Sequence, residues 1–485
     1  MSDNTNNREK LSSRLGFLLL SAGCAVGLGN VWRFPFITGR YGGALFVLIY
    51  LVFLVIFGIP VMAMEFSVGR ASGKSAARSF HVLEKPDSKW HLFSWAAMAG
   101  NYILMMFYTT VSGWMIAYMV KVAKGDFTGL DTDQVEGIFG AFVSSPIQMV
   151  GWMIVVCILG FGICAGGLVN SVEKVAKVMM LGLYAIIIIL VIRVVTLPGA
   201  AAGLEFYLKP NLNAIKEHGL FTVLFAAMGQ AFFTLSLGVG SMAIFGSYIG
   251  KEKRLGGEAI TVTILDTSAA FLAGLVVLPA CAAFGLSYKA GPGLIFMTLP
   301  NVFNSMAGGR IWGTLFFLFM TFAAMSTVVA VFENIVAFAM DITGCSRRKS
   351  VFTNFFVLVI LSLPCALGFN LLSGFTFMGG ILDLEDFILS NNLLPLGALC
   401  YALFCVSKMG WGFDNFIKEA NTGSGIIFPA KLKYYFVWGL PVLLIAFYIF
   451  GYVQSVGVNA LQWVLILGII VFIYFDKFYN KSKNS

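Results

Sequence analysis

Ser21-Ala22-Gly23-Cys24-Ala25-Val26-Gly27-Leu28-Gly29-Asn30 interrupts the first long apolar run of this chain, and Ser236-Leu237-Gly238-Val239-Gly240-Ser241 interrupts another near mid-sequence. Glycines at this density disfavour continuous helix. Inside a bilayer, unwound backbone leaves amide and carbonyl groups without helical partners, which is tolerated only where protein, water or a bound ligand satisfies them. Two such breaks at corresponding positions of two halves therefore point to one buried site between them.

Composition places these runs in a membrane. Of 485 residues, 59% are hydrophobic and 11% charged, and the mean hydropathy is +0.88; a water-soluble domain could not solvate such a surface. Segments near the roughly 20 apolar residues that cross the hydrocarbon core fall at 14–38, 43–67, 95–121, 147–165, 173–196, 220–248, 258–286, 311–340, 351–371, 377–405, 434–454 and 459–476. An all-α polytopic membrane protein of about 12 transmembrane helices is expected. No cleaved signal is expected, because a polar tail leads into an apolar run longer than a signal core.

Basic residues set the orientation. Arg8, Lys10 and Arg14, then Arg70 to Lys89, Lys174 and Lys177, Lys251 to Arg254, Arg347 to Lys349, Lys408 to Lys433 and Lys477 to Lys483 fall on one side of this arrangement, which the positive-inside rule makes cytoplasmic. Both termini are thus expected in the cytoplasm, with the chain in the cell's inner (plasma) membrane. The scatter of these residues over short loops accounts for the net charge of +9. It excludes nucleic acid as a partner, because no single basic face interleaved with aromatics results.

Cysteine and histidine suggest no chemistry. Cys24, Cys157, Cys164, Cys281, Cys365, Cys400 and Cys405 lie in or beside apolar spans, where a free thiol packs as a small hydrophobe. His81, His91 and His218 fall in loops without metal-ligand spacing. With no nucleophile and base or metal triad in a usable context, the chain is expected not to be an enzyme. The repeated pore loop or charged rings of a channel are also missing.

The neighbours of the breaks carry a resemblance. Gly27-Leu28-Gly29-Asn30-Val31-Trp32-Arg33-Phe34-Pro35 spans the end of the first, Gly229-Gln230-Ala231-Phe232-Phe233-Thr234-Leu235-Ser236 leads into the second, and Gly58-Ile59-Pro60, Glu65 and Gly69-Arg70 mark the second span. With these runs the chain resembles the neurotransmitter:sodium symporter family over essentially its whole length. The resemblance implies a LeuT-type fold: a cytoplasmic tail at 1–13, two inverted five-helix repeats at 14–196 and 220–405 with helices 1 and 6 broken, peripheral helices 11 and 12 at 434–476, and a second tail at 477–485.

It also implies a cargo, an amino acid carried with sodium. Broken helices suit both, since half-helix N-termini offer free N–H groups and C-terminal halves offer free carbonyls. By resemblance, a first sodium ion is held by Ala25, Asn30, Thr234 and Asp266, and a second by carbonyls of Gly23, Val26 and Ala323 with hydroxyls of Ser326 and Thr327. Alone, Ser326-Thr327 would read as helix filler bonded back to the preceding turn. The substrate carboxylate meets Tyr108 and the amides of Leu28 and Gly29, and its ammonium meets carbonyls of Ala25, Phe233 and Thr234. Its side chain enters a pocket of Leu104, Phe233, Ser236, Val239, Thr327 and Val331.

Departures from the family pattern refine this reading. Asp266 stands where the family's leucine transporter has a sodium-ligating asparagine, and Ala270 where it has a glutamate one turn later. A carboxylate within a membrane is costly and functional by default. Asp266 is therefore expected to ligate sodium and to supply the negative charge that chloride provides in animal members, with no chloride requirement. Glu65 and Glu333 are expected in polar networks between helices. Val239 replaces a phenylalanine, so an aromatic amino acid is the expected substrate, with branched aliphatic ones second.

By the same resemblance, Arg33 and Asp386 close the outer path, and Arg8 and Asp341 latch the inner one with Tyr248 beside them. Leu11, Ser171 and Leu181 depart from the tryptophan, glycine and proline of many members, so a different inner hinge is expected. The competing reading is a non-transporting amino-acid sensor on the same fold. Expected partners are the amino acid, the bilayer and at most a second copy in a weak homodimer.

Overall fold

The computed structural model describes residues 9–285 and 294–456; Arg8, the expected span 459–476 and the tail 477–485 lie outside them. In chain order, the first broken span consists of α1 (Arg14–Ala25) and α2 (Gly29–Arg40), bent by 56°. There follow α3 (Ala44–Ser72), α4 (Ala76–Leu83), α5 (Trp90–Lys124), α6 (Thr132–Val143), α7 (Pro146–Ala165), α8 (Leu168–Val195), α9 (Ala200–Leu208) and α10 (Asn213–His218). The second broken span consists of α11 (Leu220–Thr234) and α12 (Ser241–Tyr248). The remainder are α13 (Leu255–Ala283), α14 (Leu299–Asn304), α15 (Gly309–Thr343), α16 (Arg347–Leu367), α17 (Ile381–Val406), α18 (Phe413–Ala420) and α19 (Tyr435–Val453).

Among the described residues, 9 helices are long and apolar enough to cross a bilayer, and α1 with α2 makes up to 10. Neither α11 nor α12 is long enough alone, because the break divides their span. The short helices α4, α6, α9, α10, α14 and α18 occupy stretches expected as loops. Their local signals are real but brief: Asp131 and Gln134 form a capping box ahead of α6, and α18 turns Phe413, Phe416 and Ala420 inward, but a window sized for a membrane span averages these away. The expected start of the tenth span at residue 377 is also corrected. Met378, Gly379 and Gly380 all have positive φ, so continuous helix begins only at Ile381.

Prolines shape several spans in a common way. Pro35 has no N–H to reach the Val31 carbonyl, and its ring crowds that carbonyl. The preceding turn, Gly29–Arg33, widens so that the Phe34 amide donates to the Gly29 carbonyl, five residues back. The same wide turn precedes Pro60, Pro300, Pro395 and Pro441. Such turns concentrate at functional sites, and two of these flank the pocket described below.

The centre of the bundle is α5 packed along α15. The most apolar stretch of each is 78% buried, against 33% for α16, so the former pair is scaffold and α16 is periphery. Phe352, Phe356 and Ile360 of α16 and Val178, Leu181, Ile188 and Ile192 of α8 are exposed, an apolar surface that suits lipid.

Candidate functional site

Both breaks lie against α5 and α15. Helix α1 ends as Val26 turns extended (φ −69°, ψ 95°), its amide still donating to the Ala22 carbonyl at 2.6 Å. The second break runs through Ser236, Gly238 and Gly240 at φ of 51°, 99° and 75°. Glycine takes this left-handed backbone without penalty, whereas Ser236 is held there by its surroundings. A side chain at Gly238 would strike the backbone of Leu394 and Ala398. Glu65 accepts the Gly238 amide at 2.5 Å, and Asn101 donates to the Val239 carbonyl at 2.8 Å. Unwound backbone is thus satisfied by side chains of α3 and α5, as burial in a membrane requires.

A cavity of about 20 Å³, space for about one water, sits where the breaks meet. It is lined by the expected Ala25, Gly29, Leu104, Tyr108, Phe233, Ser236, Val239 and Thr327. The Leu28 amide donates to the Tyr108 hydroxyl at 2.9 Å. Val331 does not line this cavity; it lies one turn beyond Thr327 and is fully buried in packing. Four lining residues escape the sequence reading: Cys24, Gly27, Leu389 and Leu394. Gly27 had a signal in its place among the glycines of the first break, and a side chain there would run into Tyr108 and Thr327. Leu389 and Leu394 bracket the wide turn before Pro395, which only the fold brings over the pocket.

Above this pocket opens a larger cavity of about 350 Å³, lined by Arg33, Phe233, Asp386 and Ser390 among others. Phe233 and Leu394 border both cavities and so form the partition between them. The Arg33 guanidinium lies 4.4 Å from the centre of the Phe233 ring, a cation–π contact. Asp386 accepts the Ser390 hydroxyl at 2.6 Å. Arg33 and Asp386 therefore face one cavity without a direct ion pair.

Two polar clusters lie beneath the pocket. In the first, Asn30 Nδ2 donates to Asp266 Oδ1 at 2.7 Å and to Thr234 Oγ1 at 2.9 Å, while Thr234 donates to Asp266 Oδ2 at 2.9 Å. All three side chains are fully buried. Ala25 borders the pocket beside them. In the second, the Thr327 hydroxyl lies 3.3 Å from the Gly23 and Cys24 carbonyls and 3.4 Å from that of Val26. Ser326 Oγ lies 3.3 Å from the Val26 carbonyl and 2.9 Å from that of Ala323. Carbonyls freed by the end of α1 thus meet hydroxyls of α15, an all-oxygen donor set suited to a hard cation.

On the inner side the arrangement is richer than expected. Asp341 accepts from the Ser75 amide at 2.8 Å and the Ser75 hydroxyl at 2.6 Å. The Tyr248 hydroxyl donates to Glu333 at 2.9 Å, and Arg347 grips the same carboxylate through both terminal nitrogens at 2.6 and 2.9 Å. Glu9 lies 3.6 Å from Arg347. Ser12 donates its amide and hydroxyl to Glu173 at 2.8 and 2.7 Å, and Arg14 pairs with Glu258 at 2.9 Å. The segment ahead of α1 is thereby fastened to α8 and α16, and the first residue of α1 to α13. Ser171 lies in a wide turn, Leu168–Val172, entered through Gly167 at φ 91°, while Leu181 faces outward.

Comparison with known proteins gives four concordant findings. The model of the sodium:neurotransmitter symporter family matches residues 8–129 and 142–475. The chain is 33% identical over 428 residues to an uncharacterized sodium-dependent transporter, YhdH, of Bacillus subtilis, covering 88% of this chain and 92% of that one. It is 32% identical over 415 residues to an uncharacterized sodium-dependent transporter of Haemophilus influenzae, covering 83% and 90%. The crystal structure of MhsT in complex with L-phenylalanine is similar at a TM-score of 0.82 and 35% identity, covering 91% of this chain and 99% of that one.

Proposed function

The chain belongs to the sodium:neurotransmitter symporter family, a family of sodium-coupled transporters, and from that premise we propose that it carries a hydrophobic, aromatic L-amino acid into the cell, without chloride. The observation that carries this reading is the fully buried carboxylate of Asp266, bonded to Asn30 beside the first break and to Thr234 at the second. Sodium held by Ala25, Asn30, Thr234 and Asp266 lies next to the place of the substrate carboxylate, beside Tyr108. Each then completes the other's coordination, which couples the two bindings. A second sodium, held by Gly23, Val26, Ala323, Ser326 and Thr327, ties α1 to α15.

The aromatic preference draws support from Val239 and from the L-phenylalanine in the MhsT complex. The small cavity corresponds to a closed state: substrate enters by displacing Phe233 from its seat under Arg33 and by pushing apart the walls at Leu389 and Leu394. The two repeats, 14–196 and 220–405, then alternate access as α1–α3 and α11–α13 rock against α5, α7, α15 and α16. In the inner (plasma) membrane, with both termini cytoplasmic, the membrane potential adds about 2.3 kcal/mol per positive charge per 100 mV.

Uptake of radiolabelled tyrosine, tryptophan and leucine into proteoliposomes tests the proposal. Uptake led by an aromatic substrate, lost when choline replaces sodium and kept when gluconate replaces chloride, is the expected result. Amino-acid binding without sodium-driven uptake would instead favour a sensor.

Thr327→Val tests the second cation site separately. Valine keeps the shape and removes the oxygen. A lost charge-assisted contact is worth about 1.5–3 kcal/mol, so sodium half-saturation should rise by about ten- to a hundredfold. An unchanged sodium dependence would remove Thr327 from the site.

A further inference from the structure

The connection from α3 to α5 brings three metal-type donors to one point. His81 lies in the last turn of α4, Glu84 caps that helix and His91 opens α5. Nδ1 of His91 lies 2.7 Å, and Nδ1 of His81 3.2 Å, from the same atom, Oε1 of Glu84. The three donor atoms fall within 4.8 Å of one another, and the imidazole rings meet edge-on with centres 5.7 Å apart. Sequence spacing does not suggest this cluster, because the turn at Asp87 (φ 65°) folds the chain back on itself.

The carboxylate is oriented for the task. Its other oxygen, Oε2, accepts the His91 amide at 3.1 Å and the Ser88 hydroxyl at 3.0 Å, leaving Oε1 to face the rings. Such fixing of a ligand by outer hydrogen bonds is what a metal site requires. The loop itself is anchored, with Trp90 donating to the Met409 carbonyl at 3.2 Å and Lys85 to the Lys408 carbonyl. The Glu84 side chain is 8% exposed and those of His91 and His81 are 39% and 66% exposed. The cluster therefore has a rigid floor and a side open to solvent.

We propose that His81, Glu84 and His91 form a site for a borderline divalent transition-metal ion, best matched by Zn²⁺, on the face marked inner by its basic residues. Two imidazole nitrogens and one carboxylate oxygen suit Zn²⁺, whereas Mg²⁺ and Ca²⁺ call for oxygen donors throughout. Bond lengths of about 2.0–2.1 Å in a tetrahedral site place the donors about 3.4 Å apart. The His91–Glu84 separation thus needs to open by about 0.7 Å and that of His81 by about 0.2 Å, from 2.7 and 3.2 Å, adjustments that these two partly exposed rings can supply. Water fills the fourth position, and the imidazoles bind the ion through unprotonated nitrogens. The ion would cross-link the end of α4 to the start of α5, bracing the elbow between two long spans. This site is separate from the transport pocket and does not rest on the proposed substrate.

The test uses the full-length protein in detergent, stripped with chelator and titrated with ZnCl₂ by calorimetry and thermal unfolding. The expected result is one saturable zinc equivalent that raises the unfolding midpoint, with no such rise from MgCl₂. His81→Ala, an exposed substitution, should weaken zinc at least tenfold while leaving sodium-driven uptake intact, and His81→Ala with His91→Ala should abolish binding. Absence of saturable binding in the wild type would overturn the proposal. So would zinc binding retained in the double variant, which would assign the ion to another group such as the partly exposed Cys345.

Discussion

Asp266→Asn is expected to weaken sodium-driven uptake by about two to three orders of magnitude. Asparagine keeps the size of the side chain and one acceptor oxygen, so the change removes charge with little change in packing. In the wild type each carboxylate oxygen has its own donor, Asn30 at 2.7 Å and Thr234 at 2.9 Å, and the group is wholly buried. A cation placed beside it in a low-dielectric interior would depend on that charge. Removing one member of a buried charge pair costs about 3–5 kcal/mol, and each 1.4 kcal/mol is a factor of about ten. The loss should appear as a higher sodium requirement, read from uptake against sodium concentration at saturating amino acid. If the variant transports with wild-type sodium dependence, the charge of Asp266 is dispensable, and the proposal that it takes the place of chloride fails.

Arg347→Ala should lower the stability of the whole bundle by about 3–5 kcal/mol, the usual cost of leaving a buried charge unpaired. Glu333 has no exposed surface, while Arg347 reaches it from the inner rim of α16 with 18% of its side chain exposed. The guanidinium fork engages both carboxylate oxygens, and Nη1 also donates to the Cys164 carbonyl at 3.2 Å. Without it, Glu333 keeps only the Tyr248 hydroxyl among these contacts. Lysine is a poor replacement, because a single ammonium cannot reproduce a two-point grip. Thermal unfolding in detergent should show a lowered midpoint for Arg347→Ala, a smaller loss for Arg347→Lys, and partial recovery when Glu333→Gln accompanies Arg347→Ala. Equal midpoints for wild type and Arg347→Ala would show that the pair contributes nothing to stability.

The two predictions differ in how far their residues could be read from the chain. Asp266 stands out because a carboxylate within an apolar run is conspicuous wherever it packs. Glu333 is conspicuous for the same reason, but its partner is not. Arg347 is one of three consecutive basic residues in a polar connection, and only the turn between α15 and α16 selects it from Arg348 and Lys349. The histidine cluster is a further case: His81 and His91 become neighbours through a reversal at Asp87 that no motif announces.

Local chemistry, written residue by residue, determined the membrane class, the position of most spans and the existence of both breaks. Hydropathy averages over a window, glycine permits unwinding wherever it stands, and proline removes its own N–H in any surroundings. Tertiary structure decided what those local facts become. It set Phe233 and Leu394 between two cavities, brought Leu389 over the pocket, left Val331 out of it and joined Glu333 to Arg347. Such outcomes depend on which surfaces meet when long helices pack, a matter of contacts between residues far apart in the chain, and side-chain type or spacing along one segment carries no record of them.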